Sequence, residues 1–168
     1  MLTFKEIFDF FIMWMATSFI FLPREYFHEK KEFLIKFFLL VGLSTVLHEF
    51  FHKLVAVLLG VYSEFHAFYY GLMFGLILKI LVPNLIFFIP GYVVIQSNDS
   101  LVIFLTSLAG PLANLLLFVI FKYFALKKGD WFFYSLAQLN LWLFIFNMIP
   151  IPPLDGFKVI SSLFSLIF

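Results

Sequence analysis

The sequence contains no cysteine. That excludes disulfides and thiolate metal sites, and leaves His, Asp and Glu as ligands for any metal. Charge is also scarce. Asp, Glu, Lys and Arg make up 12% of the 168 residues and the net charge is +1, where a soluble domain carries about a quarter charged residues. So even a balance offers no basic patch, and no nucleic-acid partner is expected. Internal repeats and low-complexity linkers are missing, so residues 1–168 read as a single polytopic membrane domain. A cleavable leader is not expected either: acidic Glu6 and Asp9 sit where a basic stretch belongs, and no small-residue cleavage site follows.

What fills the chain is apolar. The hydrophobic fraction is 64%, with 28 Phe, and the mean hydropathy is +1.07. A soluble fold could not cover that much apolar surface, so the solvent on most faces is lipid. The expected class is an all-α integral membrane protein of five to six transmembrane helices, multi-pass in the cell membrane. The segments are roughly 5–22, 33–60, 67–82, 101–121 with an extension ending at 127–130, and 131–154. Residues 83–99 hold Pro83, Pro90 and Gly91 ahead of the strand-like YVVI, which predicts a re-entrant or short β segment. Gly71 and Gly75 have the spacing for close helix contact. The run NMIPIPPLDG at 147–156 predicts a broken helix, because its three prolines withhold backbone donors. Arg24, Lys30 and Lys31 mark one loop as cytoplasmic and Lys127 and Lys128 another; both lie inside only if an even number of crossings separates them.

Within this greasy chain, residues 48–52 read HEFFH. On a helix, positions i and i+4 share a face, so His48 and His52 can approach one metal at ~2.0–2.1 Å. Glu49 sits beside the first ligand, placed as a general base. The bland reading is a helix face touching solvent, but ionisable groups in an apolar helix are costly and mark function. A catalytic zinc needs a third protein ligand. The downstream candidates are Glu64, His66, Asp99, Asp130 and Asp155. Asp99 and Asp130 lie in polar loops, where solvation explains them; Glu64 and His66 lie just past Gly60. Asp155 follows the proline break in a charge-free stretch and is favoured, although an aspartate before FKVISSLF also suits a helix N-cap. Lys53, next to His52, either snorkels or faces a wet channel.

HEFFH on an early helix, SLAGPLANLLL (107–117) on a later one and NMIPIPPLDG on another, in that order, resemble the site-2 protease family, the intramembrane zinc metalloproteases of peptidase family M50, in an archaeal-like, prokaryotic form. The resemblance covers roughly residues 33–160. It implies one zinc ion per chain held by His48, His52 and Asp155, with Glu49 as catalytic base. Asn147 matches the family asparagine near the metal, and Asn114 one that lines the active-site region. Each asparagine also has a structural reading, as a partner for backbone freed by the break (Asn147) or as interhelical glue (Asn114). FFIPGYVVI (87–95) is similar to a stretch thought to receive substrate as an added strand, which would involve Tyr92, Val93 and Val94; the competing reading is an ordinary interfacial hairpin. Two Phe fill the x positions of the first motif, where relatives often carry Gly.

The expected reaction is hydrolysis of peptide bonds in or near transmembrane segments of membrane-protein substrates. A helical substrate must unwind to expose its carbonyls, so helix-breaking residues near the cut should help. The alternative is a non-proteolytic metal-binding membrane protein, either an inactive relative or a metal transporter; a transporter would string its ligands along several helices.

Overall fold

The structure is a computed structural model, and it describes residues 2–82, 85, 86 and 88–168. Among the described residues there are six α-helices and two strands: α1 (Phe4–Phe21), α2 (Lys31–Leu58), β1 (Ser63–Ala67), α3 (Tyr69–Leu81), β2 (Gly91–Ile95), α4 (Ser100–Lys128), α5 (Trp131–Asn147) and α6 (Asp155–Ile167), with one 3-10 turn at Arg24–His28. The chain is mostly α-helical, and two of its helices, α2 and α4, are long and apolar enough to cross a membrane. The expected re-entrant segment includes Pro83, Asn84 and Phe87, which lie outside the described residues.

Two compact units form. The first comprises residues 1–46 and 64–94. Thr3 opens α1 with a capping box: its hydroxyl accepts from Glu6 N while Glu6 accepts from Thr3 N. The far half of α1 packs on the first half of α2. Trp14 Nε1 and Ser18 Oγ both donate to Phe38 O, at 2.6 and 3.0 Å, and Thr17 and Thr45 share a hydroxyl bond of 2.9 Å. Gly42 makes that contact possible, since a Cβ there would fall 1.6 Å from Trp14 Cδ1.

β1 and β2 pair antiparallel. Phe68 N donates to Pro90 O and Gln96 N to Tyr62 O, a register that sets His66 opposite Tyr92, whose rings lie 5.7 Å apart. The strand SEFHA was not foreseen, although its burial alternates as a half-buried strand should, with Ser63, Phe65 and Ala67 inward. Glu6 and Asp9 account for its other edge. Phe65 N donates to Glu6 Oε1 at 2.9 Å, Ala67 N to Asp9 Oδ2 at 3.3 Å, and the Tyr69 hydroxyl to Asp9 Oδ1. These carboxylates take the place of a neighbouring strand, a way of closing an edge. Phe65 stacks flat on Phe10 beneath them, with ring centroids 4.0 Å apart. The glycine spacing in α3 serves an approach to extended chain as well as to a helix: a Cβ on Gly71 would sit 2.3 Å from Ile89 O, and one on Gly75 would sit 2.6 Å from Phe88 Cβ and 2.9 Å from Ile20 Cδ1.

The second unit comprises residues 47–63 and 95–168: the second half of α2 with α4, α5 and α6. Asp99 caps α4 by accepting from Leu101 N, and Asp130 caps α5 by accepting from Phe132 N, both at 2.8 Å. Gly129, in the left-handed region at φ 63°, stops α4 at the expected place. Pro111 is accommodated inside α4. The predicted break is present: α5 ends at Asn147, and residues 148–154 turn through Ile151 N to Ile149 O and Leu154 N to Ile151 O. Gly156 is required for the turn, because a Cβ there would meet Met148 O at 2.3 Å.

Candidate metal centre

All parts of this site belong to the second unit. His48 and His52 lie one turn apart on α2, both buried. Asp155 begins α6 directly after the proline break. Leu154, not Asp155, is the N-cap residue, and no side chain caps that helix. Instead Asp155 Oδ2 faces the imidazoles, 3.0 Å from His48 Nε2 and 3.1 Å from His52 Nε2, and the two Nε2 atoms are themselves 3.1 Å apart. Among the described residues this is the one cluster of three His or acidic side chains that could hold a metal.

The opposite ring nitrogens decide what those atoms are. His52 Nδ1 lies 2.6 Å from Thr106 O. A carbonyl only accepts, so Nδ1 carries the proton and Nε2 of the neutral ring is a bare lone pair. Pro111 withholds the N–H that would bond Ser107 O, and Thr106 O, one residue earlier, takes this outside donor. His48 Nδ1 lies 2.6 Å from Asn114 Oδ1, and Asn114 Nδ2 donates to Asn140 Oδ1 at 3.0 Å. With both rings neutral, two lone pairs and a carboxylate oxygen converge, a donor set suited to a positive centre.

The space suits a metal ion. A triangle with sides of 3.0–3.1 Å has its centre about 1.8 Å from each corner, so these three atoms are spaced as ligands of an ion at ~2.0–2.1 Å would be. Gly110 keeps that region clear: a Cβ there would lie 2.2 Å from His52 Nε2 and 2.8 Å from His48 Nε2. Two imidazoles and one carboxylate form a donor set typical of catalytic zinc.

Residues 127–168 match the model of Peptidase family M50, a region that holds Asn147 and Asp155. Over 172 aligned residues, covering 94% of this chain and 84% of the relative, the sequence is 35% identical to "Putative zinc metalloprotease MJ0611" of Methanocaldococcus jannaschii. The chain belongs to peptidase family M50. A second relative in the same class, "Putative zinc metalloprotease YwhC" of Bacillus subtilis, is 41% identical over 73 residues, 35% of this chain and 33% of that one. No solved structure matches the chain.

Four other ligand candidates of this M50 protein, Glu64, His66, Asp99 and Asp130, fall elsewhere. Glu64 and His66 are in β1, beside Lys5 of α1: Glu64 Oε1 is 3.7 Å from both Lys5 Nζ and His66 Nε2. Asp99 and Asp130 are helix caps, as above. Lys53 is buried and donates to Ser63 O at 2.7 Å, which accounts for a cation that the sequence left open. Glu49 is buried beside His48. Asn147 donates to Leu143 O at 2.9 Å. Asn114 is fully buried behind His48. In the first unit, β2 buries Val93 and exposes Tyr92 and Val94. Sequence reasoning missed Asn140, Thr106 and Gly110. Of these, only Gly110 had a signal, as the residue before Pro111 in the second motif.

Proposed function

We propose that this M50 chain is an intramembrane zinc metalloendopeptidase of the site-2 protease type, cleaving peptide bonds in or near transmembrane segments of membrane-protein substrates. The observation that carries the reading is the convergence of His48 Nε2, His52 Nε2 and Asp155 Oδ2 with a buried glutamate next in sequence to the first of them. A zinc ion held there would supply Lewis-acid chemistry, acidifying a water and polarising the scissile carbonyl.

The protein groups have separate tasks. Glu49 takes a proton from the attacking water onto its carboxylate and delivers it to the leaving amine nitrogen. Asn147 spends one amide N–H on Leu143 O; its second N–H is the donor for substrate or for the oxyanion that develops during attack. Burial of His48, His52 and Glu49 excludes bulk water and strengthens each of these interactions.

Substrate enters as unwound chain. The register of the β pair turns the backbone groups of Gly91 and Val93 away from β1, while Glu6 and Asp9 occupy the opposite edge of the sheet. An added strand would therefore pair along β2, with Tyr92 and Val94 contributing exposed side chains and Val93 the buried one. The apolar composition supports a single polytopic membrane domain with spans beyond α2 and α4, and the likeness to archaeal and bacterial relatives supports a prokaryotic cell membrane.

The test uses purified protein in bilayers, a membrane-spanning substrate, and Glu49→Gln. The reading expects one zinc per chain in both proteins and cleavage by the wild type alone. Equal cleavage by the variant, or metal flux across the bilayer without cleavage, would overturn it.

A further inference from the structure

Between Ser100 and Leu154 the charged residues are Lys122, Lys127, Lys128 and Asp130. All lie where α4 hands over to α5, at one end of a helix long and apolar enough to cross a membrane. The three lysines outweigh the single carboxylate, and Asp130 Oδ1 already accepts from Phe132 N at 2.8 Å to cap α5. Each ammonium sits over an aromatic ring of the same corner. Lys122 Nζ is 4.7 Å from the ring centre of Tyr134 and Lys127 Nζ is 5.7 Å from that of Tyr123. Lys128 Nζ is 5.6 Å from the ring centre of Phe124 and 5.0 Å from that of Phe133. A ring covers one side of an ammonium, which has three N–H donors, so outward donors remain for an anion. Tyr123, Leu126, Trp131 and Tyr134 are exposed around the corner, and tyrosine and tryptophan are the side chains that settle at headgroup level. The helix dipole accounts for Lys127 and Lys128 in the last turn of α4, but not for Lys122, more than a turn earlier.

The spread of the lysines also discriminates among anions. At about 100° per residue, Lys127 leaves α4 about 140° round from Lys122, and Lys128 about 100° further. A compact ligand such as free phosphate needs its cations to converge on one point. A layer of phosphates surrounding the end of a helix does not. We propose that the α4–α5 corner is an anionic-phospholipid site: Lys122, Lys127 and Lys128 each meet a headgroup phosphate, and Tyr123, Trp131 and Tyr134 seat between the headgroups. This rests on α4 crossing a bilayer and is independent of the metal centre. A lysine beside an anionic membrane surface favours it by about fivefold.

The test uses the full chain in bilayers. The tryptophans are Trp14, Trp131 and Trp142, so Trp14→Phe with Trp142→Phe leaves Trp131 as the reporter of the corner. Quenching by brominated phosphatidylglycerol against brominated phosphatidylcholine gives the relative affinity of the two lipids beside it. Phosphatidylglycerol should be preferred by about fivefold or more. Lys122→Gln/Lys127→Gln/Lys128→Gln should abolish the preference, and arginine at the same three positions should keep it. Equal quenching by the two lipids in the parent protein overturns the proposal, as does an unchanged preference in the glutamine variant. So does a loss in Lys30→Gln/Lys31→Gln as large as in Lys127→Gln/Lys128→Gln, since net charge alone would then suffice. Loss of the preference in sodium phosphate, but not in sodium chloride of equal ionic strength, assigns the corner to a free anion and also overturns it. Should the single-tryptophan protein not fold, electron paramagnetic resonance of spin-labelled phosphatidylglycerol and phosphatidylcholine reads the same selectivity in the unaltered chain and in the glutamine variant, and equal selectivity in the two proteins refutes the site.

Discussion

Gly110→Ala should separate the metal site from the fold. The added Cβ would lie 2.2 Å from His52 Nε2, 2.6 Å from His52 Cε1 and 2.8 Å from His48 Nε2. Ordinary contact begins near 3.4 Å, so the His52 ring must retreat by about 1.2 Å (3.4 − 2.2). A zinc–nitrogen bond tolerates about 0.2 Å. Neither ring can retreat freely, because each is tied at its far nitrogen by a 2.6 Å bond, to Thr106 O and Asn114 Oδ1. The helix itself gains: alanine in a helix interior is about 0.5–1 kcal/mol better than glycine. The expected result is a variant that still folds without metal, because overpacking of about 1–3 kcal/mol is partly offset by that gain, and that binds zinc at least about 100-fold more weakly, beyond the usual loss of an outer partner. Calorimetry of the apo-proteins and chelator competition measure the two halves. Wild-type zinc affinity in Gly110→Ala would refute the geometry of the site.

Further outcomes follow from other contacts. Gly156→Ala drives a Cβ to 2.3 Å from Met148 O. Backbone cannot yield as a side chain can, so the turn that presents Asp155 must open; zinc affinity and proteolysis should fall together, and a variant with both intact would contradict this role for the turn. Glu6→Ala strips the acceptor from Phe65 N and from Thr3 N, and should destabilise the first unit by about 2–3 kcal/mol in denaturant titration; a change under about 0.5 kcal/mol would show that the carboxylate does not hold β1. In a cleavable substrate, replacing Gly, Pro or Asn near the cut by Leu should slow turnover by restoring helix; unchanged rates would argue against unwinding as a barrier.

The parts of this site that were legible from sequence share one property: their meaning is local. HEFFH places two imidazoles on one helical face whatever surrounds it, and the proline run before Asp155 announces a break wherever it lies. Gly129 stops α4 by its own backbone freedom. Asn140 carries no such signal. Its partner is 26 residues away, and a single asparagine in an apolar helix looks the same whether it faces a ligand or a neighbouring backbone. β1 was hidden for a related reason. SEFHA alternates, but five residues with a glutamate and a histidine resemble a polar loop until the acceptors that close its edge are known, and those sit on α1, 58 and 59 residues earlier in the chain. Glu6 and Asp9 gave no hint in the sequence of the strand they hold. Lys53 showed the same limit, since only the fold supplies the Ser63 carbonyl that it meets.

The most direct measurement is zinc-edge X-ray absorption, with metal content, on the purified protein and on Asp155→Ala. The account predicts one zinc per wild-type chain, with two imidazole nitrogens and carboxylate oxygen at ~2.0–2.1 Å, and loss of the metal or of the oxygen ligand in the variant. Wild-type protein without stoichiometric zinc, or a coordination shell unchanged when Asp155 is removed, would contradict it.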